Sequence, residues 1–79
     1  MRTEIDRLDV TRLHVQLAEI LRGQIGSGEL SARDALPSES QLAARYELGR
    51  GTVRAAVRLL IDEGLVVSVM GRGSYVAPR

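Results

Sequence analysis

This chain of 79 residues contains no cysteine, tryptophan, phenylalanine, lysine or asparagine, and it has a single histidine. Without cysteine there is no disulfide framework, no thiolate zinc site and no catalytic thiol. His14 has no second histidine, lysine or nearby carboxylate pair to work with, so neither acid–base nor nucleophilic catalysis is expected. No cofactor or metal is expected either. No apolar run approaches the roughly 20 residues needed to cross a bilayer. Met1–Val10 is charged and polar, unlike a signal peptide. The expectation is a soluble cytoplasmic protein that is not an enzyme.

What is present is arginine. All eleven basic residues are Arg, and the formal net charge is only +1. The missing Lys, Asn and Phe share AT-rich codons, so a GC-rich coding sequence explains the bias; selection for Arg's forked donor geometry is the other account. The charge is unevenly spread. Residues 1–39 hold five Arg against seven acids, and residues 40–79 hold six Arg against three. A net of −2 in the first half and +3 in the second agrees with a nucleic-acid face in the second. The length allows one domain near the lower limit for a self-sufficient core.

Residues 1–11 show no sustained period and are expected to form a flexible N-terminal arm, with Ile5 and Leu8 as its anchors. A domain is expected over residues 12–77. From about Arg12 to Gly26, Leu13, Leu17, Ile20, Leu21 and Ile25 fall on a helical stripe, which Gly26 and Gly28 end. Ser27–Ala35 reads as a connector with Leu30 buried, and Asp34–Leu36 as a short strand. Pro37 breaks any helix, and Ser38-x-x-Gln41 fits a capping box that starts a second helix over Glu39–Tyr46. Glu47-Leu48-Gly49 is a turn short enough to impose the steep crossing of a helix-turn-helix. The third helix is expected over Arg50–Glu63, with Val53, Ala56, Val57, Leu60 and Ile61 facing the core and Gly64 as its stop. Leu65–Val69 and Ser74–Val76 then read as strands around a Met70–Gly73 turn. The fold class is mainly α with a small β-hairpin: three helices plus a two- to three-stranded antiparallel sheet, a winged helix-turn-helix.

Arg50, Arg54 and Arg58 recur every four residues and so share the helix face opposite the apolar stripe. Like charges at that spacing destabilise an isolated helix by roughly 0.2–0.5 kcal/mol per pair, a penalty an anionic partner reverses. The row begins at the helix N-terminus, where recognition helices present side chains to base edges. Arg54 is the best candidate for a forked contact to guanine O6 and N7. Arg50 is suited to the same contact or to a phosphate, and Arg58, one turn back, to backbone or solvent. Thr52 in the first turn would donate to a phosphate or serve as a local cap. Gly51 costs about 1 kcal/mol of helix propensity against Ala, for which close approach to DNA and simple drift are both open explanations. Gly71-Arg72-Gly73 at a hairpin tip would let Arg72 reach a minor groove or a phosphate; an ordinary glycine-rich turn is the alternative. Glu39 and Glu63 are expected to serve helix-end electrostatics at the surface.

Three runs together carry a resemblance: LHVQLAEILRGQIGSGEL, LPSESQLAARYELGRGTVRAAVRLLIDEGL and GRGSYV. Over Leu13–Val76 the chain resembles the N-terminal winged-helix domain of the GntR family of bacterial transcription regulators. The resemblance implies DNA contacts by Arg50 and Arg54, a phosphate contact by Thr52, and a wing tip at Gly71-Arg72-Gly73. With Gly51, Arg58 and the second-helix residues Ser38 and Ser40, these complete the candidate DNA-binding set. Ser40 stands where the family usually has Arg, Gly49 where Ser is common, and Val67-Ser68-Val69-Met70 where basic or amide side chains are frequent. Weaker backbone binding or a different operator preference is therefore expected. The family's C-terminal effector-binding domain has no room in these residues, which leaves either a single-domain regulator or the DNA-reading fragment of a longer, effector-regulated one.

The reading that results is a repressor occupying a pseudo-palindromic operator on double-stranded DNA. Helix 50–63 would lie in the major groove and the wing, residues 70–73, in the adjacent minor groove, with two copies pairing as a homodimer. The alternative is a winged-helix module that binds protein instead.

Overall fold

The computed structural model describes residues 2–78. Three helices, α1 (Leu13–Ser27), α2 (Glu39–Tyr46) and α3 (Arg50–Asp62), precede a hairpin of β1 (Val66–Val69) and β2 (Gly73–Val76). The strands are antiparallel with Val66 opposite Val76 and Val69 opposite Gly73. The expected strand at Asp34–Leu36 shrinks to one bridge, Ala35 to Tyr75. Leu36 N–H to Ser74 O (2.9 Å) and Val76 N–H to Asp34 O (2.8 Å) still tie the connector to the edge of β2.

Each helix boundary has a local cause. Ser38 Oγ accepts from Gln41 N–H while the Gln41 side chain accepts from Ser38 N–H, the reciprocal cap that starts α2. At the end of α3, Gly64 adopts φ +78°. The chain then turns back so that Gly64 N–H reaches Ile61 O and Leu65 N–H reaches Leu60 O, each at 3.0 Å. A left-handed glycine with that bond pair satisfies carbonyls the helix would otherwise leave open. It also aims β1 back across α3.

The core joins Leu17, Ala18, Leu21 and Ile25 of α1 to Val53, Ala56 and Leu60 of α3, with Leu36, Leu42, Leu48, Val66 and Val76 closing the sides. The expected stripe of α3 thus holds at Val53, Ala56 and Leu60, whereas Val57 and Ile61 are half-buried at its rim. Leu48 is buried although it lies in the turn, because the short link between α2 and α3 carries it inward. A bidentate pair, Arg22 Nε to Glu63 Oε1 (2.8 Å) and Arg22 Nη2 to Glu63 Oε2 (2.6 Å), joins α1 to the end of α3. Glu63 is therefore an inter-helix tie rather than a free surface charge.

Of the expected arm over residues 1–11, residue 1 lies outside the described residues, and residues 2–11 are not laid out as a free arm. Gln16 is fully buried. Its Oε1 accepts from Asp6 N–H (2.8 Å) and Arg2 Nη1 (3.0 Å), and its Nε2 donates to Asp6 O (2.9 Å) and Thr11 O (2.7 Å). Arg2 also bonds Asp9 and Glu19. Arg7 Nη2 donates to the carbonyls of Tyr46 (3.1 Å) and Glu47 (2.6 Å) at the end of α2. Ile5 packs on the core as expected, but Leu8 is 96% exposed and anchors nothing. The difference from the expectation arises because these bonds are polar and long-range, and leave no apolar period in the sequence.

This segment also holds a strongly perturbed acid. Hydrogen bonding from Thr11 N–H, and then from the Arg2 guanidinium, holds the Asp9 carboxyl down to about 2. A carboxyl whose folded value lies below its unfolded one, about 3.9, adds stability above that unfolded value. The contribution disappears as pH falls through the folded value. Asp9→Asn is accordingly expected to be less stable than wild type at pH 5, with the two approaching each other near pH 2. Denaturant midpoints measured across that range check it, and parallel curves would contradict it.

Candidate nucleic-acid interface

The outer face of α3 carries Arg50, Arg54 and Arg58, all exposed, with Val53, Ala56 and Leu60 buried behind them. None of the three guanidinium groups turns inward. Each has a polar neighbour. Arg50 Nη2 donates to Ser40 Oγ at 2.9 Å. Arg54 donates through Nε to Glu39 Oε2 and through Nη2 to Glu39 Oε1, both at 3.1 Å. Arg58 Nε lies 3.5 Å from Asp62 Oδ1, one turn along the same helix. Hydrogen bonding to Arg54 holds the Glu39 carboxyl below its usual range, and the same contact raises Arg54.

The second-helix residues lie beside this row. Ser40 is exposed and serves as acceptor for Arg50, while Ser38 Oγ is engaged in the α2 cap. Glu39, expected only to support a helix end, is the carboxylate that grips Arg54. Its partner lies 15 residues away, and only the crossing of α2 over α3 brings the two together. At the start of α3, Thr52 is half-buried and Gly51 is exposed. A Cβ built on Gly51 would meet no atom within 4 Å. The protein's own packing therefore does not require glycine there.

The wing tip follows its glycines. Gly71 and Gly73 take φ +77° and +104°, values that L side chains rarely adopt. Arg72 N–H donates to Val69 O at 2.9 Å, and Tyr75 Oη donates to Arg72 O at 3.2 Å. The turn is thereby closed and the Arg72 side chain left exposed. Met70, beside it, is 99% exposed. A groove of about 530 Å³ lies between the wing and the start of α2, lined by Ser38, Glu39, Val57, Met70 and Arg72 among others. A second, open groove shares Glu39, Val57, Ser68 and Ser74 with it and extends along Arg54 and Arg58. One continuous concave surface therefore gathers the first turn of α2, the outer face of α3 and the wing.

No group of three or more His, Cys, Asp or Glu side chains is placed to hold a metal ion among the described residues. No helix among them is long and apolar enough to cross a membrane.

Comparison with known proteins agrees with this geometry. The family described as "Bacterial regulatory proteins, gntR family" matches residues 13–76. The mannosyl-D-glycerate transport/metabolism system repressor MngR of Escherichia coli is 44% identical over 64 residues, which cover 81% of this chain and 27% of that protein. The HTH-type transcriptional repressor NagR of Bacillus subtilis is 40% identical over 65 residues, covering 82% of this chain and 27% of NagR. The chain thus spans about a quarter of the length of these curated relatives. Among solved structures, YtrA from Sulfolobus acidocaldarius, a GntR-family transcription factor, superposes with a TM-score of 0.89 at 33% identity, over all of this chain and 83% of that one. The AraR DNA-binding domain in complex with operator ORR3 superposes with a TM-score of 0.79 at 31% identity, over 81% of this chain and 77% of that one. The chain has the winged helix-turn-helix fold and belongs to the gntR family of bacterial regulatory proteins.

Proposed function

We propose that the chain binds double-stranded DNA sequence-specifically as a transcription regulator, acting as a cytoplasmic repressor that occupies a pseudo-palindromic operator. The carrying observation is the exposed arginine row on α3, backed by the core, with Arg54 and Arg58 lining the groove that reaches the wing strands at Ser68 and Ser74. Arg50 and Arg54 would read guanine edges in the major groove. Thr52, Gly51 and Ser38 would lie against the phosphate strand, with Arg58 farther along it. Gly71, Arg72 and Gly73 would enter the adjacent minor groove, where glycines give clearance and a guanidinium suits the negative potential. Ser40 contributes by accepting from Arg50. Two copies would place two α3 helices in major grooves about one turn or less apart. The relatives named repressors and the operator-bound neighbour support this reading.

The test is to select bound duplexes from a random pool and then titrate the recovered sequence at several salt concentrations. A defined half-site is expected, with log K falling by about 0.9 per phosphate neutralised as log salt rises. Failure to enrich any sequence, or an affinity insensitive to salt, would reject the proposal.

A further inference from the structure

The Glu39–Arg54 pair uses only part of the guanidinium. Its carboxylate occupies the Nε/Nη2 edge, both distances being 3.1 Å. Nη1 and the second Nη2 hydrogen have no protein partner among the described residues. A guanidinium is a rigid plane with five donors, so two oxygens on one edge fix the direction of the rest. Three N–H groups are left over, and two of them, one on Nη1 and one on Nη2, form the end-on pair that matches the spacing of guanine O6 and N7. Glu39 itself stands on a fixed element. It is the first residue of α2 and lies inside the turn closed by the Ser38–Gln41 reciprocal cap. Its neighbour Ser40 meets Arg50 in the same way, with one hydrogen bond. Consecutive residues of one helical turn therefore face the two foremost arginines of α3.

We propose that Glu39 is a specificity-determining positioning residue: it stays bonded to the side edge of Arg54 and holds the end-on pair of donors aimed at a guanine. The proposal rests on the reading that Arg54 enters the major groove. Its physical signature is one of sign. A carboxylate close to DNA is repelled by phosphates, and that repulsion weakens binding to every sequence alike. Positioning benefits only the sequence that offers O6 and N7 to the fork. Because Arg54 keeps the carboxyl below its usual range, Glu39 remains ionised at neutral pH and both effects operate there. Removing the carboxylate should thus lower discrimination while leaving random-duplex affinity unchanged or higher. A residue that merely supports the fold would weaken both together.

The experiment compares wild type, Glu39→Ala, Glu39→Gln and Arg54→Ala by fluorescence anisotropy. Three probes are used: the duplex recovered by selection, that duplex with the Arg54-dependent G·C pair changed to A·T, and a random duplex. Thermal melts accompany each variant. Glu39→Ala is expected to lower the ratio of the first two affinities by about fivefold or more, the low end of what one forked contact discriminates. Random-duplex binding should hold or rise. Glu39→Gln, which keeps an acceptor and the side-chain shape, should lose less and remains informative if the alanine variant melts early. A ratio unchanged in both variants while Arg54→Ala abolishes it would overturn the role of Glu39 and leave the reading of Arg54 standing. Equal losses on all three probes would also overturn it. If Arg54→Ala itself leaves the ratio intact, the reading of Arg54 fails first and the inference fails with it.

Discussion

Replacing Leu60 by alanine is expected to cost about 2–5 kcal/mol, the range for emptying a buried leucine site that the surroundings only partly refill. Leu60 is 0% exposed and belongs to the cluster in which α3 meets α1 and the hairpin. Its carbonyl also accepts from Leu65 N–H, so the side chain and the turn into β1 are set by one residue. At roughly 0.05–0.15 kcal/mol per residue, a domain this small would hold about 4–12 kcal/mol in all. The substitution therefore removes a large share of the total, and a sizeable unfolded population at 37 °C is expected. Leu60→Met, which conserves volume, should cost less than about 1.5 kcal/mol. Urea midpoints of the two variants check this; an alanine variant within about 1 kcal/mol of wild type would mean that Leu60 does not fill a closely packed site.

Arg54→Ala is expected to weaken binding to the selected duplex by about 1–3 kcal/mol, roughly 5- to 150-fold, and to relax specificity at one base pair. The melting temperature should barely change, since the Arg54 side chain is 69% exposed and its ion pair with Glu39 lies at the surface. Arg58→Ala supplies the contrast. Removing a phosphate anchor there would weaken all sequences alike and lower the salt slope by about one. Affinities for matched and single-mismatch duplexes at two salt concentrations distinguish the two roles. Identical behaviour of both variants would remove the distinction between base reading and backbone contact along α3.

What the residue order reveals depends on range. The limits of α2 follow from Pro37, Ser38 and Gln41, all within one turn of each other. Those of α3 follow from the Gly49 and Gly64 that bracket it, and the outward arginine row follows from a four-residue spacing against an apolar stripe. Gln16 is not legible in this way, because a lone glutamine in a helix looks solvent-facing until Asp6 and Thr11 are folded over it. Arg22 and Glu63 lie 41 residues apart, and Glu39 and Arg54 15 apart. Nothing local relates such partners; only the packing of α1 and α2 on α3 does. The candidate surface is thus visible in the sequence as a row of donors, but the acceptors within the protein that aim them are not.

The bonds made by Arg2, Asp6 and Arg7 bear on where this unit should be cut for expression. The match to the family begins at residue 13, yet the side-chain amide of Gln16 and the last carbonyls of α2 are satisfied by groups upstream of it. A clone trimmed to the similarity boundary would strip a buried amide of its partners and bare the carbonyls that meet Arg7. Truncation libraries built on alignment limits would then yield a weakened reader head for reasons unrelated to its arginines.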